Sequence, residues 1–297
     1  MKSFNQIYEE IYKQSNEDLE RLKKEKNKRN LLFIVIAIVA LLILINLLNS
    51  IIPIVFIIIM ISMVFAIVNS KAKYTPIFKE KVIKPIIKGI SENLEYFPNK
   101  NMPEVLYRQG KFEFYDDYHS EDLIEGLLDN KNEMHFAEVH TERESTDSDG
   151  NTTTYTVFYG MFGNVTMTKS IETVIRIRLD QGKLGRLFAS KEKVEMDSSE
   201  FEKYFDIYAE DKIKAMQILT SDVMMIMIEF VKQSKLKYDL TIKNNQLYIR
   251  FYTGSMFEPK LFKRALDYDT LKEYYDIIEF ILKVTSKINE TIEKTEI

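Results

Sequence analysis

MHFAEVHTERE at 134–144 and TTYTVFYGMFGNVTMT at 153–168 flank the turn residues DSDG at 147–150, and this stretch decides the fold. Both arms are rich in β-branched and aromatic residues, while Asp147 and Gly150 supply turn chemistry between them. The pattern predicts a long antiparallel β-hairpin. Its polar tip over 141–153, containing STDSDGNTT, is expected to be exposed, with contact to a partner as the functional alternative.

Further period-two segments lie downstream. Residues 172–179 alternate Val174, Arg176 and Arg178 against Ile175, Ile177 and Leu179, giving a strand with one wet or charge-paired face. A short strand follows at 194–197, and 240–251 reads as a second hairpin about Asn244 and Asn245. Ser199 and Glu202 match a capping box, which predicts a short helix starting before Phe205. Helices are expected over 211–217 and 221–235, the second centred on the all-apolar 223–228. A long C-terminal helix carries Leu271, Tyr274, Tyr275, Ile278, Ile281, Leu282 and Ile288 on one stripe. These elements predict one α+β domain over 70–297 with antiparallel strands, large enough for a single substantial core.

The N-terminal third reads differently. Residues 1–30 form an amphipathic helix whose apolar face includes Phe4, Ile7, Ile11, Leu19 and Leu22. From 31 to 68 the sequence is apolar and uncharged, nearly twice the ~20 residues needed to cross a ~30 Å hydrocarbon layer. Asn49, Ser50 and Pro53 interrupt it near the middle, so 31–69 is expected to be a transmembrane helical hairpin. Basic residues on both flanks, Arg21 to Arg29 before and Lys71 to Lys88 after, place both ends on the cytoplasmic side. The expectation is a multi-pass protein of the inner or plasma membrane with both termini cytoplasmic and the lipid bilayer as a partner. After it, 74–93 reads as a helix broken near Lys84 by Pro85.

Composition narrows the chemistry. The chain has no cysteine, which excludes disulfides, thiol nucleophiles and cysteine metal clusters. A net charge of −4 with no general basic surface argues against nucleic acid as a partner. Asn151, Asn164 and Asn289 begin Asn-x-Thr strings that read as chance matches. His119 stands among Asp116, Glu121 and Asp122, a polar cluster that forms a hard-metal or acid–base site only if the fold gathers it; otherwise it is a wet acidic loop. His135 and His140, five apart, fall on opposite faces of a strand. Neither the glycine pairs Gly160/Gly163 and Gly182/Gly185 nor any serine fits a phosphate loop or a nucleophile elbow. No catalytic, cofactor-binding or metal residue is assigned, and no cofactor is expected.

Three phrases carry a resemblance: KPIIKGISENLEYFPN at 84–99, TVFYGMFGNVTMTK at 156–169, and VEMDSSEFEKYFDIYAEDKIKAMQILT at 194–220 before a Met- and Ile-rich helix. Over 74–258 the chain resembles the bacterial family known as domain of unknown function 3137, most specifically through Glu200, Phe201, Phe205, Tyr208, Asp211, Ala215 and Leu219. The resemblance implies paired N-terminal membrane spans before a cytoplasmic domain, and brings no reaction or site. Physically, Phe201, Phe205, Tyr208, Ala215 and Leu219 read as a helix-packing signature and Asp211 as a cap or ion-pair residue. The function expected is a membrane-anchored cytoplasmic interaction, scaffolding or regulatory module, within a homo-oligomer or membrane-protein complex. The alternative is a membrane-associated lipid-binding protein or enzyme with a pocket in the α+β domain.

Overall fold

The computed structural model describes residues 2–46, 74–128, 131–179, 193–259, 263–264 and 266–294. The chain divides into two compact units. The first comprises 1–4, 86–257 and 269–297, the second 5–85 and 258–268.

The first unit is α+β. Its strands are β1 (Leu94–Phe97), β2 (Asp117–Leu127), β3 (Glu133–Thr146), β4 (Thr152–Leu179), β5 (Lys193–Val194), β6 (Phe205–Ala209) and β7 (Tyr238–Phe251). All the pairings are antiparallel, in the order β1–β2–β3–β4–β6–β5 with β7 added to β4. The β3–β4 hairpin forms as its turn residues dictate. Asp147 Oδ1 accepts from the N–H groups of Asp149 and Asn151 at 3.0 and 2.9 Å, Gly150 takes φ +83°, and Thr146 faces Thr152.

β7 is continuous extended backbone, yet it doubles back. A straight strand of its length would hold Tyr238 and Phe251 roughly 40 Å apart, but their rings lie 5.6 Å from one another. Tyr252 N–H donates to Lys237 C=O at 3.0 Å and Asn244 takes φ +54°, so β7 is the hairpin that Asn244–Asn245 predict. β4 embraces it. Residues 161–166 of β4 pair with 246–251, while 171–177 pair with 240–244, which places the hairpin between the two arms of one long strand. Gly160 permits the close approach this needs, since a Cβ there would meet the Phe251 carbonyl oxygen at 2.0 Å.

Helices cover one face of the sheet. Those that do are α4 (Lys212–Ile218), α5 (Ser221–Ser234) and α6 (Tyr268–Lys294); α1 (Phe4–Asn46), α2 (Lys84–Ile90) and α3 (Glu104–Gln109) precede them in the chain. Phe230 of α5 stacks on Phe280 of α6 at 4.1 Å, and both rings reach Phe251. Burying each such side chain contributes about 1.5–3 kcal/mol. α5 is a core helix on one side only. Val223, Met224, Met227 and Ile228 are buried, whereas Met225 stands 54% exposed. α6 buries its stripe as far as Ile292, and Asn289 Oδ1 accepts from the Thr168 N–H at 3.1 Å. On the opposite face Tyr107 of α3 packs with Met102, Leu123, Ala137, Val139 and Phe162.

The second unit contains most of α1, whose residues Ile7, Ile11, Ser15, Leu19 and Lys23 form a buried ridge at i, i+4 spacing. Lys81 reaches Asp18 at 2.8 Å, and Tyr8 OH donates to the Leu266 carbonyl at 3.1 Å. Pro85 has its expected effect one turn early. Helical residues 74–78 pass into a π-helical turn, Lys79–Ile83, in which the Lys84 N–H reaches the Lys79 carbonyl.

The transmembrane hairpin expected over 31–69 is corrected. Among the described residues no helix is long and apolar enough to cross a membrane. α1 begins with a charged amphipathic segment and is described as far as Asn46. The rest of the apolar run, with Asn49, Ser50 and Pro53, lies outside the described residues. Multi-pass placement in the inner or plasma membrane, together with the orientation built on it, therefore loses its structural basis.

Candidate functional site

The strand ends β2, β3 and β4 gather the polar residues. β2 carries a bulge between Glu121 and Ile124, where Asp122 takes φ +62° and is fully buried, its carboxylate accepting from the Tyr96 hydroxyl. Before the bulge, His119 pairs with His140 and Glu121 with Glu138, while Tyr159 of β4 lies opposite His140. Period-two alternation puts all five on one face. With Asn99 and Asn101 they line a cavity of about 420 Å³.

Glu138 is the most enclosed member, 3% exposed. Its Oε1 accepts from Tyr159 OH at 3.1 Å and its Oε2 from the Met256 N–H at 3.0 Å. Burial, reinforced by the neighbouring Glu138 charge, raises the Tyr159 hydroxyl above the ordinary phenol pKa. His140 Nε2 lies 3.0 Å from Thr156 Oγ1, and its ring is 4.8 Å from that of Tyr159. The cavity thus offers carboxylate acceptors, a phenol and two imidazoles to a polar ligand. Among the described residues no group of three or more His, Asp or Glu side chains is placed to hold a metal ion.

Of the polar cluster expected from sequence, only His119 and Glu121 come together in the cavity. Asp116 instead secures the root of the hairpin, its Oδ2 accepting from the Glu144 N–H at 2.8 Å, and Asp122 is committed to the bulge. The wet acidic loop is in fact a strand. Glu138, His140 and Tyr159 complete the site; their i, i+2 spacing is visible in sequence, but their alignment with His119 depends on strand register.

Beyond the cavity the β3–β4 hairpin projects as a two-stranded ribbon. β2 begins at Asp117, opposite Glu142, and β7 ends at Phe251, opposite Met161. Gly254 N–H still reaches the Tyr159 carbonyl at 3.2 Å, but 152–158 have no backbone partner other than β3 among the described residues. That edge is uncharged from Thr152 through Thr168, and Tyr155 is 46% exposed.

A second polar assembly crosses the other face. Arg250 meets Asp239 and Glu113, Tyr252 OH donates to Asp239 at 2.8 Å, and Tyr107 OH donates to Glu113. Phe112 lies between two guanidinium groups, Arg178 at 4.7 Å and Arg250 at 4.6 Å. Burial lowers the pKa of both arginines. Arg178 therefore does not have the surface role suggested by sequence; it donates to the Leu240 carbonyl at 2.8 Å and to Thr241 Oγ1 at 3.0 Å.

The phrase 194–220 is not one helical signature. Phe201, fully buried, opens a 3-10 turn (Phe201–Lys203), and Phe205 and Tyr208 belong to β6. Ala215 and Leu219 are buried around α4, whose N-terminus Asp211 caps by accepting from the Lys214 N–H at 3.0 Å; Glu200 pairs with Lys232 at the surface. Here Ser198 rather than Ser199 caps, accepting from the Phe201 N–H at 3.2 Å, while Glu202 accepts from the Met196 N–H at 2.9 Å.

The architecture is thus an α+β domain with a large antiparallel sheet, helices on one face and an aromatic layer on the other. Residues 156–290 match the family described as Protein of unknown function (DUF3137), and this stretch is a domain of that family. The match begins inside β4 and ends within α6, leaving β2 and β3 outside it. No curated protein matches the sequence. Among solved structures, the mycobacterial trehalose monomycolate transport factor A, TtfA, aligns with a TM-score of 0.35 at 9% identity, over 66% of this chain and 86% of that one. A likeness of that size carries no argument.

Proposed function

We propose that the chain is an interaction or scaffolding module that engages a protein partner through the β3–β4 ribbon. The observation supporting this reading is the 152–158 edge, a β-prone strand with open backbone donors and acceptors and no charge to discourage pairing. Strand addition uses such an edge, with main-chain hydrogen bonds supplying affinity and alternate side chains supplying specificity. Binding along Thr152–Thr156 would leave the core untouched, because those residues are exposed and the buried part of β4 begins at Phe158.

A photo-crosslinking phenylalanine analogue at Tyr155, compared in living cells with one at exposed Glu229 on α5, tests the reading. Discrete adducts from position 155 above the Glu229 background are expected. Their absence overturns it. The second reading, a small polar ligand in the cavity, is favoured by buried Glu138 and by a volume within the ~300–1,000 Å³ range of ligand sites. Compounds that raise the melting temperature of the wild type but not of Glu121→Ala would select it.

A further inference from the structure

The two edges of the ribbon have opposite character. On the β3 side, Glu142, Arg143 and Glu144 place charges along the strand, the ordinary protection against unwanted pairing. On the β4 side, TTTYTVF over 152–158 carries no charge, proline or glycine and is composed of residues that favour strands. Such a sequence in a strand interior would be explained by burial. Here Thr152 to Thr156 are exposed, and their outer backbone groups have no partner among the described residues.

We propose, resting on the interaction-module reading, that the occupant of this edge is the same edge of a second copy of the chain, added antiparallel across a two-fold axis at Tyr155. The strand is complementary to itself in that register. Thr154 faces Thr156 and the two Tyr155 rings lie side by side on one face, while Thr152 and Thr153 reach the root of the second copy's ribbon, where the bulge at Val157 and buried Phe158 end the free edge. The charges that protect β3 do not obstruct the pairing. The two β3 strands would stand three strand spacings apart, roughly 14 Å, which exceeds the ~8 Å screening length at physiological ionic strength. An isologous contact of this kind closes at the dimer and leaves β3 as the charged outer edge of a four-stranded ribbon.

The test uses the full chain, with oligomeric mass measured by sedimentation over a wide concentration range for wild type, Tyr155→Lys and Tyr155→Glu. A wild-type dimer is expected. Each variant alone should raise the dimer dissociation constant by about tenfold or more, because like charges then meet on the axis. Mixing the two variants should restore association, which also shows that both are folded. A monomeric wild type, or a dimer indifferent to both substitutions and to their mixing, overturns the proposal. If the wild type is monomeric while a probe at position 155 still gives adducts with a different protein, self-pairing fails and the interaction-module reading survives.

Discussion

β4 passes through two environments with nearly one composition. Within the body, residues 161–165 are paired on both edges, to β3 and to the β7 hairpin, and Met161, Phe162 and Val165 are fully buried. In the ribbon, 152–156 are paired on one edge only and exposed. An uncharged strand is accounted for by its surroundings in the first region and lacks such an account in the second. The difference teaches that the body stores stability and the ribbon stores unused pairing capacity, so substitutions in the two regions should report through different measurements.

The largest effects belong to the body. Arg250→Ala removes the cation shared by buried Asp239 and by Glu113, and should cost about 3–5 kcal/mol in denaturant unfolding because an uncompensated charge remains. Replacing Arg250, Asp239 and Glu113 together with apolar residues of similar size should cost much less. Phe280→Ala should fall in the same range, ~3–5 kcal/mol, since its ring lies against Phe230, Tyr238 and Phe251. Equal stability of either single variant and wild type would remove the contrast between the regions.

The legibility of the fold follows the same divide between local and distant causes. Both hairpins were readable because Asp147–Gly150 and Asn244–Asn245 determine their own turns. The insertion of the β7 hairpin between the arms of β4 was not, because no local residue records a pairing made across 63 to 90 positions. The segment around His119 has the composition of a wet loop for a related reason: DYHSED is polar, and only pairing with β3 makes it a strand. In the site, His119 and Glu121 were visible as a polar cluster, whereas Asp116 and Asp122 were recruited to a hydrogen bond and a bulge that sequence spacing does not encode. The short helix expected before Phe205 forms as the single 3-10 turn Phe201–Lys203, cut short because Phe205 and Ile207 are needed on the sheet. Of the apolar run 31–69, the structure describes 31–46 as the continuation of an amphipathic helix, and no described helix is long and apolar enough to cross a membrane.

An intermediate effect should appear at high pH. Burial pushes the Tyr118 hydroxyl up to about 12, against an ordinary value of 10.0. The unfolded chain loses this proton first, so the associated stability is intact below pH 10 and declines as pH rises from 10 toward 12. Tyr118→Phe should flatten that part of the stability profile, measured by urea unfolding at stepped pH. An unchanged slope would place the alkaline sensitivity elsewhere among the buried phenols.

The smallest stability effect should come from the ribbon, and it is the most discriminating. Replacing 144–154 by a two-residue Asn-Gly turn removes exposed backbone and none of the buried core, so unfolding free energy should change by less than about 1 kcal/mol. Asp116 would lose its bond from the Glu144 N–H, a solvent-accessible hydrogen bond worth about 1 kcal/mol at most. The same deletion should abolish association through this edge, because Thr152–Thr154, half of the strand that pairs about Tyr155, are gone and Tyr155 then adjoins the new turn. Separation of the two readouts, stability retained and association lost, is what distinguishes a surplus edge from a structural one. A deletion that unfolds the protein would show that the ribbon supports the core, and one that leaves association intact would show that the uncharged edge of β4 is not the surface that pairs.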